Sequence, residues 1–400
     1  MANLIKLPQF PWEGPRELEL ALPDNWDVET FNMAGYNRPA LNDQQIKASI
    51  TSLIGSPPIR EIARGKKEVV IIFDDMARVT RVAEIIPFVL EELAEAGIPD
   101  KSIRFIAALG GHGTLGREDF VNKLGEATLS RFPVYNHNAF DFCTYVGTTS
   151  HGTPVSINSE VMQCDFKIAI GSVVPHGLAV YSGGGKKIVP GVASVDTIVA
   201  NHTLPHTQDY NTDALRLDIE EAAQLVGLDV VIECIVNMWG DTVALFAGAE
   251  EPAHAACVQE ARTHYVTTMA EDKDIVIGNV YAKAVEVTTG FKVVASVNKK
   301  GGDMVLIANT PRGQVSHYSM GWWGRNIGGK LKRKTALPPH VNRLIIFTEY
   351  PNKADLEWFE ESPRIMQISK WDDVLQILQD AHGDRATVAV YPSADILRFG

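Results

Sequence analysis

Eight short apolar runs punctuate the chain: Glu68–Phe73, Ile103–Leu109, Phe166–Gly171, Asp229–Val236, Asp274–Val280, Asp303–Ala308, Arg343–Thr348 and Ala386–Tyr391. They are rich in Val and Ile and lack strict alternation with polar residues. That pattern predicts strands buried on both faces. Helical stretches lie between them. Pro87–Ala96 places Phe88, Leu90 and Leu93 on one stripe and stops at Gly97, a residue suited to a helix C-terminus. Ala214–Val226 and Pro252–Met269 also read as helices, and Trp371–Ala381 carries Val374, Ile377 and Leu378 on one face. Strand alternating with helix predicts an α/β fold with largely parallel sheets. A polar interval at Thr267–Asp274 suggests a boundary, giving an N-terminal α/β domain over 1–270 and a C-terminal α/β domain over 271–400. A second polar interval, Gly321–Pro339, holds Lys330, Lys332, Arg333 and Lys334. It reads as a solvated loop or as an anion site.

Length supports the division, since 400 residues exceed what one compact core usually holds. Asp plus Glu outnumber Lys plus Arg by 49 to 37, a net charge of −12. An acidic chain is a poor candidate for non-specific nucleic-acid binding. Cys143, Cys164, Cys234 and Cys257 form no CxxC pair, so neither a zinc site nor a disulfide framework is suggested. The opening residues include Pro8 and Pro11 and no apolar run of the kind that marks a secretory signal. With no long apolar stretch to span a membrane, a cytoplasmic home is expected.

In parallel α/β sheets, functional loops leave the C-terminal ends of strands. Three such loops here are rich in reactive residues. The first, Phe73–Arg81, carries Asp74, Asp75 and Arg78. The acidic pair reads as a turn or helix cap with Arg78 as its ionic partner, or as a site in which Arg78 grips a carboxylate. The second, Ala108–Phe120, sets His112 among Gly110, Gly111 and Gly113. Glycines there allow a close backbone approach to a ligand, or simply a turn. The third, Gly171–His202, holds His176, Gly183–Gly185, Lys186, Lys187, Pro190-Gly191 and His202. It is not a Walker A loop, because Ile188 follows the lysines. Glycines beside a lysine can still cradle an anion or present a reactive amine. Ser194 or Asp196 can cap a helix that carries His202 one turn after Ile198. A core histidine is the alternative there.

The spacing P-H-x9-K-x3-P-G-x9-N-H, from Pro175-His176 through Lys186 and Pro190-Gly191 to Asn201-His202, resembles the nickel-dependent lactate racemase family. The segments Asp75–Arg78 and Gly110–His112 match its upstream motifs in order. Beyond residue 202 the resemblance continues through Asn279–Tyr281 and Gly301-Gly302. It implies two α/β domains with an interdomain active-site cleft, the C-terminal domain closing over the substrate. It also implies a nickel pincer nucleotide, pyridinium-3-thioamide-5-thiocarboxylic acid mononucleotide, linked to Lys186. His202 would complete the nickel coordination, with Asp75, Gly183, Gly184 and Gly185 about the cofactor. His112 and His176 would be the acid/base pair. Arg78, Tyr281 and Lys283 or Lys292 would face the substrate. The implied partners are an α-hydroxy acid and the proteins that make the cofactor, with neither nucleic acid nor membrane.

The chain departs from the family at Gly113 and Gly116, where Arg and Thr are common, and at Ala282, where Gln is typical. These positions concern substrate recognition, so an acid larger than lactate is expected. Two other readings stay open: a nucleotide- or sugar-phosphate-binding α/β metalloenzyme, and a non-catalytic cofactor-binding homologue.

Overall fold

The computed structural model describes residues 3–177, 179–204, 212–318, 324, 326 and 334–400. Lys330, Lys332 and Arg333 of the basic run lie outside the described residues. Two compact units divide the chain. One comprises Arg38–Arg262 with Ser316–Lys332, and the other Met1–Asn37, Thr263–Val315 and Arg333–Gly400. The division differs from a cut at 270 because the first 37 residues fold with the C-terminal half. Asp27–Thr30 pairs in parallel with Thr387–Tyr391, so an edge of that sheet comes from the start of the chain.

The unit of Arg38–Arg262 is built on a six-stranded sheet. In spatial order its strands are Thr242–Gly248, Val230–Val236, Phe166–Ser172, Val69–Asp74, Ile103–Ala108 and Val134–Asn136. Only Thr242–Gly248 runs antiparallel to its neighbour. Every residue of Val69–Asp74 is buried, as a strand covered on both faces requires. On one face Val70, Ile72, Ile106, Ala169 and Val231 pack with Val189, Val192, Ile198 and Ala222. The other unit holds an all-parallel six-stranded sheet that includes Ile275–Asn279, Gly302–Ile307 and Val341–Phe347. An antiparallel hairpin, Asn3–Gln9 with Arg16–Leu22, adds Ile5, Leu7, Leu20 and Leu22 to its core.

Two helices depart from expectation. The helix beginning at Pro87 in the sequence reading spans Val82–Glu95, with Pro87 inside it. Proline removes one helical hydrogen bond, but Val82, Ile85, Ile86, Val89 and Leu93 are buried along this helix. Such packing supplies most helical stability in proteins. The helix expected over Pro252–Met269 spans Glu250–His264. Val266–Thr267 beyond it instead pairs with Arg398–Phe399 in the other unit's fold. Among the described residues no helix is long and apolar enough to cross a membrane.

Candidate active site

Strands Phe166–Ser172, Val69–Asp74 and Ile103–Ala108 are parallel neighbours, so the loops bearing His176, Asp75 with Arg78, and His112 leave from one edge of the sheet. His112 turns its Nδ1 to the Asp75 carboxylate in a short hydrogen bond. Burial pushes the Asp75 carboxyl up. The charge and hydrogen bond of His112, helped by Arg78 and Lys123, outweigh it and hold the pKa at about 2. The Gly110 amide donates to the Gly191 carbonyl at 2.8 Å, fastening the His112 loop to the Pro190-Gly191 turn.

A pKa below the ordinary 3.8 means that the Asp75 contribution is complete above that value and fades as pH falls toward about 2. Asp75→Asn should therefore cost about 2 kcal/mol at neutral pH, with the loss shrinking below about pH 4. Urea unfolding across an acid series measures this. A difference that grows on acidification would exclude the pairing.

Asp74 does a different job. Lys123, fully buried, donates to Asp74 Oδ1 at 2.7 Å and to the carbonyls of Arg78 at 2.7 Å and Thr80 at 3.4 Å. Asp74 Oδ2 accepts from the Thr80 hydroxyl at 2.5 Å and the Ser172 amide at 3.1 Å. This buried knot shapes the Arg78 loop from below. Burial pushes the Lys123 amine down, and Asp74 offsets part of that. Lys123→Met strands a buried carboxylate and should destabilise the fold by about 3–5 kcal/mol. Adding Asp74→Asn should recover much of the loss in denaturant titrations.

The third loop begins with a two-residue pairing of Pro175-His176 against Val180-Tyr181. His176 Nδ1 accepts from the Ala179 amide at 3.2 Å. Gly183 and Gly184 follow with φ of +90° and +55°. A Cβ at Gly183 would lie 2.3 Å from Glu233 Oε1, and one at Gly184 would lie 2.1 Å from Arg216 Nη2. The Gly184 amide donates to Glu233, and the Gly185 amide donates to Glu250 Oε1 at 2.8 Å. Arg216 Nη1 donates to the Gly183 carbonyl at 3.1 Å, and His254 Nδ1 sits 2.8 Å from Glu233 Oε2. These two amides thus serve protein carboxylates. The glycines form a tight platform for Lys186.

The two lysines diverge on leaving that platform. Lys187 is buried beneath Gly171, where a Cβ would meet its Nζ at 2.3 Å and Asp74 Oδ2 at 2.8 Å. Lys186 is partly exposed. Its charge reaches His202, which lies in the last turn of helix Val195–Thr203. The Ser194 hydroxyl caps that helix by accepting from the Thr197 amide at 3.2 Å. Burial, then Lys186, pushes the His202 pKa down to about 3, against a small opposing pull from the Ile198 carbonyl. Its Nδ1 is buried without a hydrogen-bond partner among the described residues.

Residues 14–213, half of the chain, match the family model described as the lactate racemase N-terminal domain. The chain belongs to the lactate racemase family. The lactate racemase of Lactiplantibacillus plantarum is 28% identical over 298 residues, covering 70% of this chain and 69% of that protein. The lactate racemase of Thermoanaerobacterium thermosaccharolyticum is 26% identical over 344 residues, covering 81% and 78%. The fold matches the lactate racemase apoprotein structure from T. thermosaccharolyticum with a TM-score of 0.73, at 21% identity and full coverage of both chains.

The remaining candidates of this lactate racemase family member lie in the other unit. Tyr281 and Lys283 are buried just after strand Ile275–Asn279, and the Lys283 amide donates to Asp395 Oδ2 at 2.6 Å. Lys292 donates to the carbonyls of Asp395 at 3.1 Å and Leu397 at 2.8 Å, and burial pushes its amine down to about 8. Lys292 therefore ties Val287–Ser296 to the segment 395–397.

Sequence reasoning missed Lys123, Glu233, Glu250, His254 and Arg216, which support the site loops. It also missed His317. There the Gly113 amide donates to the Ser316 carbonyl at 2.8 Å and the Tyr318 amide to the Gly111 carbonyl at 2.6 Å. The His317 ring meets that of His112 edge-on, with centroids 4.8 Å apart.

Proposed function

We propose that this protein inverts the C2 stereocentre of an α-hydroxy acid, using a nickel pincer nucleotide linked to Lys186. Membership of the lactate racemase family makes it an isomerase by class. The observation that carries the finer reading is the pairing of Lys186 with His202. A neutral imidazole with a buried, unpartnered nitrogen among the described residues fits a donor for a borderline metal such as nickel. Among those residues no three His, Cys, Asp or Glu side chains gather as a metal cage. His202 would therefore hold nickel with other ligands drawn from the bound nucleotide.

When bound, that group supplies a reversible hydride acceptor, which avoids a carbanion beside a carboxylate. The protein's own part is proton transfer and orientation. His112, with Nδ1 held by Asp75, takes the substrate hydroxyl proton at Nε2. His176, as an imidazolium that has given up the Ala179 hydrogen bond made at Nδ1 by the neutral ring, returns a proton at the opposite face. Imidazoles suit a reaction that runs in both directions near neutral pH. Arg78 pairs with the substrate carboxylate, and Tyr281 and Lys283 or Lys292 remain the substrate-side candidates of the other unit. Gly113, Gly116 and Ala282 favour a longer or polyhydroxy acid over lactate. Proteins that make the cofactor are required partners. A cytoplasmic setting accords with four cysteines that are free thiols.

The test is holoenzyme, made with the cofactor-producing proteins, acting on a panel of C2-deuterated α-hydroxy acids. Retention of deuterium in the inverted product, with a slowed rate, is expected. Complete exchange with solvent hydrogen would mean proton abstraction at C2 and would end the hydride reading.

A further inference from the structure

A two-base inversion leaves the enzyme changed. In one direction His112 gains the hydroxyl proton and His176 gives one up. The same enantiomer cannot react again until His112 has lost its proton and His176 has regained one. The racemase reading therefore requires a reset step, with one proton leaving His112 for solvent and one entering His176. No electrons move, and the two transfers cancel.

His112 is poorly placed to reset alone. Its Nδ1 faces Asp75, and its side chain is 15% exposed. Among the described residues the ring of His317 is set against it, at a centroid distance of 4.8 Å and an interplanar angle of 71°. Backbone hydrogen bonds on either side hold it there, through Ser316 to Gly113 and through Tyr318 to Gly111. Gly113 suits this arrangement, since a Cβ at that position would sit 3.2 Å from the Ser316 Cβ. His317, like His112, is partly buried and keeps some contact with water. Among the described residues Asp75 pairs with His112, and Arg78 and Lys123 lie close enough to act on the Asp75 carboxyl. All of these residues belong to one unit.

We propose that His317 is a proton relay, carrying the proton from His112 to solvent between turnovers, directly or across one water. It is a positioning and relay residue outside the bond-changing step. This rests on the racemase reading of the site.

Reset lies outside kcat/KM, which ends with the first irreversible commitment of bound substrate, but it limits kcat at saturation. In holoenzyme, His317→Phe keeps an aromatic ring and removes the titratable nitrogens. It should lower kcat about 10-fold or more, with KM falling in step and kcat/KM held. His317→Gln should behave alike, which guards against a packing effect of one variant. Imidazole added to the buffer should restore kcat by accepting the proton in place of His317. A second readout needs no cofactor. In protein labelled with ¹⁵N-histidine, exchange of the His112 ring proton with water should slow in His317→Phe. A fall in kcat/KM matching that in kcat, an unchanged kcat, or unaltered ring-proton exchange would each overturn the relay. Wild-type holoenzyme that carries the adduct yet inverts no acid on the panel would sink the racemase reading, and the relay with it. Normal wild-type turnover beside any of the three earlier results sinks the relay alone.

Discussion

Lys186→Ala should abolish the proposed covalent adduct and with it all racemisation, while Lys187→Ala should keep the adduct. That contrast is expected from the paths of the two side chains. Lys187 runs beneath Gly171 into the interior, in the neighbourhood of Asp74. A molecule attached to its amine would have to displace a buried strand. Lys186 leaves the same short turn partly exposed and close enough for its charge to depress His202. Lys186→Arg should fail as completely as Lys186→Ala, because guanidinium keeps the charge but is not a usable nucleophile at neutral pH. Intact mass and peptide mapping of holoenzyme decide the matter. An adduct mapped to Lys187 would reverse the assignment.

His112→Ala and His176→Ala are each expected to slow inversion by about 10²–10⁴-fold while the nucleotide stays attached. Removing either imidazole takes away one proton-transfer partner and leaves Lys186 and its glycine platform intact. The platform depends on Glu233, Glu250 and Arg216, not on either histidine. His202→Ala should separate from both by losing nickel, which metal analysis of purified protein reads directly. If His112→Ala also releases the metal, the division of labour among the three histidines is wrong.

The eight central strands were legible because burial on both faces leaves an unbroken signature of Val and Ile. The edge strand Thr242–Gly248 was not, since it alternates buried Val243, Leu245 and Ala247 with partly exposed Ala244 and Phe246. The hairpin Asn3–Gln9 and Arg16–Leu22 carries a similar alternation, as in the run Arg16-Glu17-Leu18-Glu19-Leu20. That signal was present and was obscured by the neighbouring prolines. In the site, Lys186 and His202 are singled out by the resemblance to the lactate racemase family, whose motif one short segment carries. Lys123 and Glu233 are not. Their partners Asp74 and Gly184 each lie 49 residues away, and local pattern is silent about such distances. Glu233 did leave a trace, as a lone carboxylate in the apolar strand Val230–Val236. His317 left none. Its meaning comes only from the backbone pairing that carries it to His112.

The pairing of Asp27–Thr30 with Thr387–Tyr391 has a consequence for how the chain is made. Asp27–Thr30 leaves the ribosome hundreds of residues before the strand it pairs with. Throughout synthesis the Asn3–Gln9 hairpin and its Leu7 and Leu22 must wait without their final packing partners. The strands Val69–Asp74 to Thr242–Gly248, by contrast, are all available long before Thr387–Tyr391 is made. Domains generally fold as units during synthesis, and contacts distant in sequence close slowly. The segment bearing His112, Lys186 and His202 can therefore build its sheet while the chain is still growing. The other sheet closes only once Thr387–Tyr391 has been made, by capturing a strand made hundreds of residues earlier.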